Sequence, residues 1–328
     1  MSFWTDRNVL VTGCTGLMGS CLTEALANAG ANVVGLVRDG VPKSRLMSSD
    51  AVNHINTVSG QVEDYHLVER CLNEYQIKTA FHLAAQTIVG IANQSPLSTF
   101  ESNVRGTWNV LEACRNTSWV EEIVVASSDK AYGEHQELPY SENTALLANH
   151  PYDVSKACAD LIAQTYAKSY QLPVCVTRFG NLFGSGDVNF DRLIPGTIRS
   201  VIRGESPIIR SDGNFSRDYI YVEDAASAYM TLAENMSKDS TVKGQAFNFS
   251  YESPLSALEV VNIVLVQMGR TGLEPQILNT AHNEIPHQYL SSQKARRILG
   301  WQPKFSFEEG LKRTISWYEE LLEGGTHG

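Results

Sequence analysis

Short β-branched runs alternate with longer segments whose apolar residues recur every three to four positions. The runs at 8–12, 32–37, 79–83, 122–126, 174–178 and 246–249 predict strands. The segments at 17–29, 68–75, 104–115, 152–170, 222–234, 255–268 and 307–322 predict helices. Strands separated by whole helices imply right-handed crossovers and an α/β, doubly wound parallel sheet covered by helices on both faces. After Phe179 the pattern loosens and Gly184, Gly186, Pro195, Gly204, Pro207 and Gly213 punctuate it. That stretch and the C-terminal third predict a smaller, mainly helical lobe over the carboxyl edge of the sheet, where open α/β sheets bind ligands. The expected division is 1–178 with about 222–250 in the sheet domain, and about 179–221 with 251–328 in the lobe.

Length agrees with this: 328 residues and 36.2 kDa make about two domains, or one large unit with an appended lobe. The 43% hydrophobic share argues against a disordered chain. With 26 Lys+Arg against 36 Asp+Glu the net charge is −10, which offers no global attraction to nucleic acid or an anionic membrane. A small phosphate-bearing ligand reads local charge and is not excluded. Cys14, Cys21, Cys71, Cys114, Cys158 and Cys175 form no C-x-x-C pair and read as small buried thiols in a reducing compartment. No apolar run approaches the ~20 residues of a membrane span, and the N-terminus shows no basic-then-apolar leader. These features predict a soluble, cytoplasmic protein; no metal site is expected.

Thr12-Gly13-Cys14-Thr15-Gly16-Leu17-Met18-Gly19 follows the first strand and opens the first helix. The spacing G-x-x-G-x-x-G suits a diphosphate: Gly13 permits a tight turn, Gly16 admits the anion to backbone N–H groups, and Gly19 lets helix pack on sheet. The sheet is therefore read as Rossmann-type, with Gly13, Thr15, Gly16, Leu17, Met18 and Gly19 as cofactor-binding residues. At the second strand's end Arg38 points to the 2′-phosphate of NADP and the adjacent Asp39 to the ribose hydroxyl of NAD, so the dinucleotide stays open as NAD(P)+.

Two further patterns carry chemistry. Tyr152 and Lys156, four apart on one helix, place an ammonium near a phenol, which predicts a lowered phenol pKa and a base for a sugar hydroxyl. Ser128-Asp129-Lys130 directly follows an apolar strand and adds a hydroxyl, an acid and an amine at the carboxyl edge. An amine can take the proton acidified by a neighbouring ketone while a carboxylic acid protonates a departing hydroxyl; together they eliminate water.

Together these residues resemble the extended short-chain dehydrogenase/reductase superfamily and, within it, the nucleotide-sugar 4,6-dehydratases, with CDP-glucose 4,6-dehydratases the nearest match. His82-Leu83-Ala84-Ala85-Gln86, Ser128-Asp129-Lys130-Ala131-Tyr132 and the run from Pro151-Tyr152 through Ser155-Lys156 to Cys158-Ala159 carry the likeness. So do Gly180-Asn181, Gly184-Ser185-Gly186-Asp187, Asp191-Arg192-Leu193-Ile194-Pro195, His287-Gln288-Tyr289-Leu290 and Leu299-Gly300-Trp301-Gln302-Pro303. The resemblance implies that Tyr152, helped by Lys156 and Ser128, deprotonates the hexose 4-hydroxyl as hydride passes to bound NAD(P)+, with NAD+ the family's cofactor. Lys130 then takes the C5 proton, Asp129 protonates the leaving 6-hydroxyl, and hydride returns to C6. It also implies cofactor contacts from Gln61, Val62, Leu83, Ala84, Ala85 and Gln86, and diphosphate contacts from Asn181, Arg192 and Arg217. Related dehydratases often carry glutamate at the Lys130 position and aspartate at that of Gln61, and Arg217-Asp218-Tyr219 departs from the CDP-glucose pattern. GDP-mannose or another NDP-hexose is the alternative substrate, and a 4-epimerase the alternative enzyme; a non-catalytic dinucleotide-binding protein is a third reading. A homodimer on helices 104–115 and 152–170 is expected from the superfamily.

Overall fold

The computed structural model describes residues 2–41, 44–280 and 284–323. Seven strands form one parallel sheet: β1 (Asn8–Thr12), β2 (Asn32–Val37), β3 (Asn56–Ser59), β4 (Thr79–His82), β5 (Glu122–Ala126), β6 (Val174–Phe179) and β7 (Ala246–Phe249). Their order across the sheet is β3-β2-β1-β4-β5-β6-β7, and every pairing is parallel. The order reverses between β1 and β4, which opens a crevice at their carboxyl ends.

Period-two alternation divides the strand residues between two cores. Val9, Val11, Val33, Phe81, Val124, Cys175 and Phe247 face one side, against Leu22 and Leu26 of α1 (Leu17–Asn28) and against Tyr229, Leu232 and Met236. Leu10, Val34, Ala80, Ile123, Val125 and Val176 face the other, against Val68, Leu72, Val110, Leu111 and Ala163. Both faces are covered, so the interior strands are buried on both sides and mainly apolar, as buried parallel strands require.

β3 has no counterpart among the expected strands. It is an edge strand with only Val58 buried, so its sequence lacks both an apolar run and an alternation. The helix expected over 104–115 begins instead as a π-helical turn at Glu101–Arg105 and becomes α-helical at Gly106–Arg115. The helix containing Tyr152 spans Pro151–Tyr170, with proline in its first turn, where a missing N–H costs nothing. The helix Val222–Lys238 packs on α1, and β7 then adds to the sheet edge.

Beyond the sheet, helices at Leu193–Ile202, Ala257–Gln267, Gln293–Leu299 and Phe307–Glu323 surround paired two- and three-residue strands. Asn181–Phe183 pairs with Tyr219–Tyr221, and Ser216–Arg217 lies between Leu255–Ser256 and His287–Gln288. Residues 281–283 and 324–328 of the expected lobe lie outside the described residues. No described helix is long and apolar enough to cross a membrane.

Candidate functional site

The glycine turn sits at the carboxyl end of β1, where the strand order reverses. Gly13 has φ +72°, and a Cβ on it would lie 2.8 Å from the Ala84 backbone. A Cβ on Gly19 would collide with the Gly13 carbonyl and lie 2.9 Å from the Cys14 Cα. Gly16 is the N-cap of α1 and carries no side-chain cap, so the helix presents bare N–H groups beside exposed backbone. The cradle fits a dinucleotide diphosphate: shape and donors come from backbone atoms that a larger residue would block. Thr15 and Leu17 are half-buried at its rim, while Met18 turns into the core.

Leu83 and Ala84 continue from β4 opposite this turn, and their N–H groups both donate to Thr12 Oγ1 at 3.2 Å. Val62 is buried, Gln61 exposed and Ala85 half-buried. Gln86 is fixed by Asn103, which accepts from its N–H at 2.7 Å and donates to its carbonyl at 3.0 Å. Arg38 and Asp39 form an exposed ion pair of 2.6 Å at the end of β2.

Ser128, Asp129 and Lys130 begin a 3₁₀ turn just past β5. Ser128 Oγ donates to Asp129 Oδ1 at 3.0 Å and accepts from the Lys130 N–H at 3.2 Å. Burial raises the Asp129 carboxyl above its ordinary pKa despite the neighbouring Lys130. Burial, with the Arg217 charge, lowers the Lys130 ammonium. The acid is thus biased towards its protonated form and the amine towards its free form.

Tyr152 lies half-buried beside them. Its pKa is shifted upward, first by burial and then by the Asp129 charge, with the neighbouring Ser128 hydroxyl opposing. This corrects the expectation of a phenol acidified by Lys156. Lys156 Nζ donates to the Ala126 carbonyl at 2.8 Å, and burial brings its own pKa down to about 8, so its charge does not offset the desolvation of the phenol.

The residues expected to meet the diphosphate lie beyond the sheet. Arg217 is buried, with Nη1 donating to the Ser216 and Pro286 carbonyls at 2.9 Å. Arg192 pairs with Asp187 at 2.8 Å, and its charge acts on Tyr152 and Tyr219. Asn181 pairs in register with Tyr219 of the neighbouring strand. Four elements therefore bring Ser128, Asp129, Lys130, Tyr152, Arg192 and Arg217 to one edge; Arg38 stands apart, at the exposed end of β2.

Sequence reading missed a buried polar seam beneath this edge. Thr12 Oγ1 and Thr107 Oγ1 flank the His82 ring at 2.9 and 3.0 Å, and Thr107 donates to the Asn103 carbonyl at 2.6 Å. Asn103 then donates to Ser155 Oγ at 2.8 Å, and Ser155 to the Tyr152 carbonyl at 2.6 Å. Burial holds His82 down at about 3, so its imidazole is neutral. The available signal was Asn103 and Gly106 at the start of a helical segment, where π turns often mark sites.

Comparison with known proteins decides the lineage. The family model described as GDP-mannose 4,6 dehydratase matches residues 10–314. The chain belongs to that family. Its resemblance to extended short-chain dehydrogenase/reductase dehydratases holds over essentially its full length. It is 29% identical to CDP-glucose 4,6-dehydratase of Salmonella typhimurium, covering 98% of this chain and 93% of that protein. A dTDP-glucose 4,6-dehydratase of Bacillus anthracis in complex with NAD superposes with TM-score 0.85 at 27% identity, covering 97% of this chain and 98% of the other. An epimerase of Methanothermobacter thermautotrophicus superposes with TM-score 0.88 at 29% identity, covering 98% and 94%. Solved relatives with NAD bound support a nicotinamide dinucleotide as the cofactor. Among the described residues, no cluster of three or more His, Cys, Asp or Glu is placed to hold a metal.

Proposed function

We propose that the chain is a nucleotide-sugar 4,6-dehydratase, a hydro-lyase that converts CDP-glucose to CDP-4-keto-6-deoxyglucose with bound NAD+. The observation that carries this is the buried Asp129 and half-buried Lys130 beside Tyr152, with the pKa values of the acid and the amine displaced towards their neutral forms. A 4-epimerase shares the fold but has no use for an acid at C6 or a base at C5.

Gly13, Thr15, Gly16, Leu17, Met18 and Gly19 would hold the diphosphate of the dinucleotide. Gln61 and Val62 would meet adenine, with Leu83, Ala84, Ala85 and Gln86 lining the path to the nicotinamide. When bound, the dinucleotide supplies the hydride acceptor for C4 and the hydride donor for C6, so no external reductant is consumed. Asp39 neutralises Arg38 and would repel a 2′-phosphate, which favours NAD+ over NADP+.

The protein's own groups handle the protons. Tyr152 receives the 4-hydroxyl proton once its own phenolic proton, which burial retains, has passed to solvent, and Lys156 fixes the end of β5 against the same helix. Lys130 takes the C5 proton, acidified by the new C4 ketone. Asp129 gives its proton to the departing 6-hydroxyl, which leaves as water. Lys130 returns a proton to C5 as C6 is reduced. Asn181, Arg192 and Arg217 hold the diphosphate from the lobe of 179–221 and 251–328; arginine suits this because its planar fork binds phosphate oxygens in pairs.

Two helices bear exposed apolar residues, Trp108 on Gly106–Arg115 and Leu161 on Pro151–Tyr170, and pack beside one another. This supports a homodimer on that face, which sedimentation of wild type against Trp108→Glu tests.

The function is tested by mass spectrometry of products from CDP-, GDP-, UDP- and dTDP-hexoses. The expected product is CDP-hexose lighter by one water, with no net NADH. Isomerisation without mass loss would establish an epimerase instead. Lys130→Ala is expected to retain transient C4 oxidation while losing dehydration, and unaltered turnover removes Lys130 from the mechanism.

A further inference from the structure

Gln288 lies in the two-residue strand His287–Gln288, paired in register with Arg217 of the neighbouring strand. It has no solvent exposure. Its Nε2 donates to the main-chain carbonyl of Asp129 at 3.1 Å, and its Oε1 accepts from Lys130 Nζ at 2.6 Å. The first contact fixes the second: a carbonyl only accepts, so the amide nitrogen must face Asp129 and the amide oxygen must face the amine.

We propose that Gln288 is a positioning residue for Lys130, whose amide reaches from the C-terminal lobe and holds the amine beside the acid without adding a charge. The inference rests on the dehydratase reading above.

A neutral amine has two N–H groups and one lone pair. With one N–H on Oε1, the nitrogen is tethered while its lone pair remains available for a carbon-bound proton. The same oxygen accepts equally from the ammonium formed afterwards, so one tether serves both protonation states. A carboxylate at this position would bind the ammonium far more tightly and hold the proton on it. The charged groups acting on Lys130 are Arg217, Asp129, Asp153 and Glu284. An amide leaves that balance unchanged. The tether also ties base placement to docking of the lobe, because Arg217 Nη1 clamps the Pro286 carbonyl two residues before Gln288.

The experiment uses the full chain with bound cofactor and the hexose nucleotide that it dehydrates. C4 oxidation is followed as transient cofactor reduction in a single turnover, and the C5 step as solvent deuterium incorporated at C5, both across pH. For Gln288→Glu the midpoint of the C5 limb is expected to move up by about 1–3 pH units, a tenfold or greater loss at neutral pH, with C4 oxidation within twofold of wild type. For Gln288→Leu the C5 step is expected to fall about tenfold without that upward displacement. In a Lys130→Ala background, Gln288→Leu should cost nothing further.

Equal losses in both steps, an unmoved midpoint in a folded Gln288→Glu protein, or a full additional loss on Lys130→Ala each overturn the inference. Should Gln288→Leu fail to fold, the Gln288→Glu midpoint decides alone. A wild-type protein that releases no water from any hexose nucleotide overturns the parent reading, and the inference with it. A competent dehydratase indifferent to position 288 overturns the inference only.

Discussion

Alanine at position 19 separates packing from propensity by the sign of its effect. Gly19 lies in the first turn of α1, where Gly→Ala ordinarily stabilises by up to about 1 kcal/mol. Here the new Cβ would collide with the Gly13 carbonyl oxygen and lie 2.8 and 2.9 Å from the Gly13 carbonyl carbon and the Cys14 Cα. All three are main-chain atoms of the phosphate turn and cannot swing aside as a side chain would. Overpacking of this kind costs about 1–3 kcal/mol, and a collision with backbone belongs at the upper end. The net expectation for Gly19→Ala is a loss of about 2 kcal/mol, together with weakened dinucleotide binding, because α1 must retreat from the turn that it shapes. Gly16→Ala is the control. Its Cβ would meet only the Gly13 carbonyl, at 3.4 Å, in a half-open cradle. Stability should change by less than about 0.5 kcal/mol, while dinucleotide affinity falls because the new methyl group narrows the approach to the N–H groups. Urea unfolding of the apo proteins and calorimetric titration with NAD+ measure both quantities. A stabilised Gly19→Ala protein that binds the dinucleotide normally would refute the close-packing argument.

Three other outcomes follow from buried charge. Dehydration requires Asp129 protonated and Lys130 unprotonated; with the first raised and the second lowered, kcat/KM should rise through the Lys130 limb and fall through the Asp129 limb, and Asp129→Asn should abolish water loss. His82 is held neutral down to about pH 3 in the folded protein, whereas unfolded histidine protonates below about 6.5. Its contribution is complete above pH 6.5 and lost as pH falls through that window, at about 1.4 kcal/mol per pH unit; His82→Gln should flatten that slope in urea titrations. Arg178 and Asp160 form a buried bidentate pair of 2.8 and 2.9 Å, and Arg178 also donates to the Tyr132 hydroxyl at 2.7 Å. Asp160→Ala strands that guanidinium and should cost about 3–5 kcal/mol by denaturant unfolding, against a smaller loss when Arg178→Met is added.

Local pattern carried the parallel sheet, its covered faces and the glycine turn, because each depends on residues close in sequence. β1, β2, β5 and β7 coincide with apolar runs long enough to be read directly. β3 does not, because an edge strand buries one residue and needs no pattern. The YxxxK helix and the Ser128-Asp129-Lys130 turn were legible as chemistry, since type and spacing alone put hydroxyl, acid and amine at strand and helix ends. The protonation behaviour was not. A nearby lysine predicts an acidified phenol, but the folded chain removes Tyr152 from water beside Asp129 and turns Lys156 to the Ala126 carbonyl, and desolvation prevails. Contacts such as Lys130 to Gln288, or Thr12 through His82 to Thr107, join residues tens to more than a hundred positions apart. Sequence by itself determined most of the parallel sheet and which chemical groups stand at the ends of its strands. Tertiary structure decided which groups lose their water and which partners they meet, because burial and hydrogen bonding are set by every element packed around a side chain.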